Sequence, residues 1–229
     1  MGCYYTKAEL YKKVDDFKSF LGIGDSDYPV NLIEVCDKRV SLRIEAVPFG
    51  DPALRGMTVL PEEPGDADII LLNKSRSLRE QNFDCGHEMM HLRLHRNEQK
   101  QTFNCFDGVG AHQNKFLEWQ ANEGSAEMLV PYRLILPKMA SLRGNSYDWM
   151  DIYQLRADLS EDFGVCKQVI EYRFESLKYE IFQYINGVGL NDIEILSINQ
   201  QKHQNIAVQS LNDIESESLS EYSISFASL

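Results

Sequence analysis

Five residues constrain this chain more than any others: His87-Glu88-Met89-Met90-His91, an H-E-x-x-H pattern. The surrounding segment reads as helix. Two histidines four apart lie on one helical face and can hold one zinc ion between them. The glutamate after the first histidine can then act as general base toward water. A chain that carries this pattern must bring a further ligand from elsewhere and must build a fold that buries both.

The helix has a sequence-level start. Ser77 followed three residues later by Glu80 fits a capping box, and the spacing predicts a helix over 78–95. Its inward positions are Phe83, His87, Met90, His91 and Leu94. Upstream, Lys7 to Leu21 shows helical spacing, and Pro29 to Cys36 reads as a second short helix. Val40 to Val47, Met57 to Leu60 and Ala67 to Leu72 read as three short strands, expected to form an antiparallel sheet. Residues 96–110 read as a loop, with 104–110 near the mouth of the site.

The next helix, 113–130, ends at Pro131. One of its faces runs Glu118, Ala121, Asn122, Ser125, Ala126, Leu129, a continuous helical stripe of mostly small residues. Such a stripe lets another helix pack closely. A carboxylate at its start needs a partner, because an unpaired buried charge is costly. A metal on the facing helix is such a partner.

Geometry narrows the choice of a third metal ligand. His95 continues the four-residue series, but it lies about 12 Å from His87 along a helix axis. One ion with bonds of about 2 Å cannot hold both, so His95 is read as supporting the site or lying partly exposed. The metzincin pattern requires glycine at position 94 and histidine at position 97, where this chain has Leu94 and Asn97. A glutamate from the second helix is the other common solution. Glu118 lies on the small-residue stripe and is favoured. Glu123 and Glu127 lie ~140° and ~180° away around the helix and are read as solvated charges.

The same segments carry a family resemblance. The H-E-x-x-H pattern, followed by Glu118-Trp119-Gln120-Ala121-Asn122 and the run to Pro131, resembles the ImmA/IrrE family of metalloproteases. So do the approach Arg79 to Phe83, the turn Phe163-Gly164-Val165-Cys166, and the later Arg173 and Leu177. The resemblance covers residues 30–177. It implies His87, His91 and Glu118 as zinc ligands, Glu88 as the base, and an α+β, zincin-like fold that is mainly helical. It also implies a helix-turn-helix repressor as substrate, one whose cleavage derepresses phage or mobile-element genes. Family members that act as regulators imply an alternative, a non-proteolytic module that sequesters a repressor. Gly124 and Ser125 stand where the family pattern has Phe and Ala, which predicts looser packing of that helix. His112 and Tyr132 are candidates for stabilising an oxyanion.

Composition narrows the setting. A net charge of −12 argues against general binding to nucleic acid, which needs a basic surface, and suits a basic protein partner. Five scattered cysteines with no C-x-x-C pair argue against a disulfide framework or a cysteine-based zinc site, and fit a reducing cytoplasm. Cys85 is read as a small buried residue. No signal peptide or membrane-length apolar run is visible. Beyond Pro137, helices are expected over 148–163 and 166–184. The reading divides the chain into a metalloprotease domain, 1–186, and a polar acidic appendage, 187–229. The appendage has six acidic residues and one lysine, with strands expected at 193–198 and 223–226.

Overall fold

A computed structural model of the chain describes residues 4–38, 42–61, 65–96, 102–106 and 113–214. The chain divides into two compact units. The first comprises residues 1–5 and 9–129, and the second residues 6–8 and 130–229.

The first unit holds most of helix α1 (Lys7–Leu21), then α2 (Leu32–Asp37), strands β1 (Leu42–Val47), β2 (Leu54–Val59) and β3 (Asp68–Asn73), helix α3 (Leu78–Leu94), strand β4 (Thr102–Phe106) and helix α4 (Lys115–Leu129). The sheet differs from the three antiparallel strands expected. It has four strands in the order β1-β3-β2-β4, and it is mixed. β3 inserts between its predecessors, so β1 pairs with β3 in parallel, while β2 runs antiparallel to β3 and β4. The fourth strand comes from a stretch read as loop. Its alternation is only five residues long, with Phe103 and Cys105 buried and Asn104 half-buried between them.

Register aligns one face of the sheet. Thr58 lies opposite Ile70 on one side and Phe103 on the other, and Gly56 lies opposite Leu72 and Cys105. These alternate residues are buried, and Asn73 at the end of β3 is buried with them. The pairing slips between Leu54 and Gly56, so Arg55 is an extra residue on β2. Its guanidinium reaches fully buried Asp84 on α3, with Nε 2.9 Å from Oδ1. Arg76 reaches the other carboxylate oxygen at 2.7 Å. Two guanidiniums thus hold one buried carboxylate, fixing α3 against the sheet one turn before His87.

The α3 helix starts as its sequence indicates. The Ser77 side chain accepts from the Glu80 N–H at 3.3 Å, and Glu80 accepts from the Ser77 N–H at 2.8 Å. Residues 81–91 are buried without a break, so the helix is the centre of its unit. It packs on α4 at very short range. A Cβ placed on Gly86 would lie 2.5 Å from Ser125 Oγ, and one on Gly124 would lie 2.7 Å from Met90 Sδ. Ser125 Oγ also donates to the Phe83 carbonyl at 2.8 Å. The looser packing expected at Gly124 and Ser125 is therefore absent: glycine and serine there admit the neighbouring helix instead of leaving space.

The second unit contains helices α5 (Tyr132–Lys138), α6 (Trp149–Asp162), α7 (Lys167–Ser176), α8 (Lys178–Ile185) and α9 (Ile198–His203). The single helix expected over 166–184 is broken at Leu177, where Lys7 captures the Ser176 carbonyl and also pairs with Glu180 at 2.9 Å. All of these side chains are buried. The strand expected at 193–198 does not form. Ser197 and Gln200 make a capping box that starts α9 instead. Ile193, Leu196 and Leu211 are buried in this unit. The strand expected at 223–226 lies outside the described residues. No helix among the described residues is long and apolar enough to cross a membrane.

Candidate metal centre

His87 and His91 project from α3 and Glu118 from the first turn of α4. The close α3–α4 approach brings the three together. His87 Nε2 lies 3.0 Å from His91 Nε2 and 3.3 Å from Glu118 Oε2. His91 Nε2 lies 3.7 Å from Glu118 Oε1. Both imidazoles are 1% exposed and Glu118 is 9% exposed. The three form a possible metal-binding group.

The hydrogen bonds behind the rings decide what faces this point. Asn122 Oδ1 can only accept, so His87 Nδ1 at 3.0 Å carries a hydrogen. Gln120 Oε1 accepts from His95 Nε2 at 2.7 Å. Neutral His95 then accepts at Nδ1, and His91 Nδ1, 2.9 Å away, donates. Each histidine is left with a bare Nε2 lone pair, and the two lone pairs confront each other beside a carboxylate. That arrangement is repulsive unless a positive charge sits among them.

A proton is one such charge. Burial opposes protonation of His87, yet Cys105, Glu118 and Glu88 around it hold its pKa well above the usual imidazole value. Burial drives His91 down to about 4. Burial would raise the Glu118 carboxyl, but His87 and His91 beside it bring it to about 2. A divalent metal is the better fit. Tetrahedral zinc with bonds of about 2.0–2.1 Å separates its ligand atoms by roughly 3.3 Å, and the observed separations lie on either side of that value.

Glu88, fully buried, points toward the sheet. Thr58 Oγ1 donates to its Oε2 at 2.6 Å, while Oε1 has no hydrogen-bond partner among the described residues. Burial pushes this carboxyl up to about 7, against the pull of the His87 charge and the Thr58 hydrogen bond. Gly56 makes room: a Cβ there would lie 3.2 Å from Glu88 Oε1. Phe103 stacks on the His91 ring, with centroids 4.8 Å apart and planes 15° from parallel.

His95 is buried and bridges His91 to Gln120, so the partly exposed reading of it does not hold. Glu123 and Glu127, read as solvated, are each 1% exposed. The helix is covered on that side too: Tyr11 of α1 donates to Glu123, and Tyr28 donates to the Met128 carbonyl at 2.8 Å. His112 lies outside the described residues, and Tyr132 belongs to the second unit. Asn122 is visible in the sequence on the small-residue stripe but not as a partner of His87. Thr58, Phe103 and Cys105 can be found only by pairing the strands correctly. Cys105 Sγ, a ring nitrogen of His87 and a carboxylate oxygen of Glu88 all lie within 4.8 Å of one another.

No curated protein matches the chain. A solved structure with a similar arrangement is a Mycobacterium tuberculosis transcriptional regulator, 13% identical with a TM-score of 0.45. The match covers 75% of this chain and 47% of that one, so the chain spans about half the length of that regulator. Residues 37–175, over half of the sequence, match the family model of the IrrE N-terminal-like domain, and the chain belongs to that Peptidase M78 family.

Proposed function

We propose that this chain is a zinc-dependent metalloendopeptidase of the cytoplasm that cleaves a helix-turn-helix repressor and so derepresses phage or mobile-element genes. In this reading His87, His91 and Glu118 hold the zinc. When bound, zinc acts as a Lewis acid, polarising a peptide carbonyl and making water a stronger acid. The observation that carries the reading is the state of Glu88: fully buried, beside three convergent metal donors, with one oxygen held by Thr58 and the other without a hydrogen-bond partner among the described residues.

Each residue then has a task. Asn122 and the His95–Gln120 relay aim the two Nε2 atoms. Thr58 fixes the Glu88 carboxylate so that Oε1 alone faces the reacting water. Glu88 takes a proton from that water and passes it to the departing amine. The repressor is favoured as substrate by the family resemblance and by charge: a chain of net charge −12 suits a basic DNA-binding partner.

The test is co-expression with a candidate helix-turn-helix repressor, comparing wild type and Glu88→Gln by mass spectrometry. Glutamine keeps the shape but cannot accept the proton, so cleavage should fall by about 10²–10⁴-fold. Equal cleavage by both proteins would overturn the mechanism. A repressor left intact but displaced equally by both would instead favour the non-proteolytic regulatory module.

A further inference from the structure

The cysteines of the first unit do not share one environment. Cys36 and Cys85 turn to the Met89 sulfur, at 3.1 and 3.9 Å, in the core behind the helix. Cys105, 1% exposed, instead joins His87 and Glu88. Packing alone explains a small buried thiol. It does not explain the neighbour, a fully buried carboxylate whose Oε1 has no hydrogen-bond partner among the described residues. The cross-strand partner of Cys105 is Gly56, so no side chain stands at that position between the strand and Glu88.

Thiolate is a strong zinc donor, and four protein ligands make a closed site whereas three leave a position open. We propose that Cys105 is a reversible fourth ligand of the metal at His87, His91 and Glu118, closing the position that catalysis requires. The inference rests on the reading that these three residues hold a metal. When the sulfur engages, its S–H bond breaks, the proton passes to Glu88 Oε1, and a sulfur electron pair forms the bond to the metal. No electron is transferred and no co-reactant is consumed. The site is then blocked twice, because its open position is filled and its base already carries a proton. Withdrawal of the sulfur reverses both. β4 is suited to this movement. It lies at the sheet edge and, among the described residues, pairs only with β2, so a movement toward α3 breaks no ladder on a second side.

The experiment is metal spectroscopy on the full chain. Cobalt(II)-loaded wild type should show a near-ultraviolet sulfur-to-cobalt charge-transfer band. Cys105→Ser should lose it while keeping the visible bands of bound cobalt, and Cys85→Ser should retain it. Zinc-edge X-ray absorption on zinc-loaded wild type should find one sulfur at about 2.3 Å, a readout that needs no variant to fold. A metal sphere of nitrogen and oxygen alone, or a band that persists in Cys105→Ser, overturns this inference and leaves the three-ligand site standing. Failure of wild type to take up either metal overturns the three-ligand site itself and this inference with it.

Discussion

Gly86 is the position where a single methyl group should test how the metal centre is built. In an exposed helix, glycine to alanine stabilises by roughly 1 kcal/mol. Here the added Cβ would lie 2.5 Å from Ser125 Oγ and 2.9 Å from Leu32 Cδ1. Ser125 cannot turn away cheaply, because its hydroxyl donates to the Phe83 carbonyl in the buried helix interface. Stranding that hydroxyl costs about 1–3 kcal/mol, and overpacking Leu32 adds about the same. Gly86→Ala should therefore lose a net of about 1–5 kcal/mol in urea unfolding of the metal-free protein. Because the strain separates the helix carrying His87 from the helix carrying Glu118, zinc affinity by chelator competition should also fall, by about tenfold or more. Gly86→Ala with Ser125→Ala removes the closest clash and should recover much of both losses, a coupling of at least about 1 kcal/mol. A Gly86→Ala protein as stable as wild type, or a double variant with no rescue, would refute the packing argument.

Asn122→Ala and Gln120→Ala each remove an acceptor that aims a histidine, and should weaken zinc binding by about 10–100-fold with the fold intact by circular dichroism; unchanged affinity would mean that the rings hold themselves. Lys7→Met strands buried Glu180 and should cost about 3–5 kcal/mol, whereas Lys7→Met with Glu180→Leu should recover part of that loss in the same unfolding assay, the Ser176 carbonyl and Leu196 N–H still lacking their side-chain partners. The raised pKa of His87 gives metal-free protein a stability that is fully present below the unfolded value of 6.5 and is lost as pH rises through the folded value. Melting in chelator should accordingly weaken as pH rises above neutrality, and His87→Gln should flatten the trend; a wild-type profile that is flat or rises would contradict the raised pKa of His87.

The central helix is legible in the sequence because two independent signals agree there, the Ser77–Glu80 capping box and the spacing of His87 and His91. Glu118 is legible because a carboxylate on a small-residue stripe, packed against another helix, must be paired with something that helix carries. What is not legible depends on long-range pairing. The place of β3 between β1 and β2 leaves no mark in any one strand, so the sheet reads as a simple antiparallel set. Thr58 and Cys105 acquire meaning only once that order is known. Glu123 and Glu127 mislead for a related reason. Helical periodicity assigns charged residues to water, yet a helix covered on two sides buries them, and a tyrosine on another helix is what makes Glu123 tolerable.

One helix, α4, supplies the proposed ligand Glu118 and, through Gln120 and Asn122, the hydrogen bonds that set the tautomers of both histidines on its neighbour. Half a site is therefore not on offer. If α4 is displaced, the chain loses a donor and the orientation of the other two in the same event. At the proposed site, metal capture would then work as a sensor of whether that single helix has docked, and anything that pries α4 away, a partner or a lesion, would discharge the ion abruptly instead of by degrees.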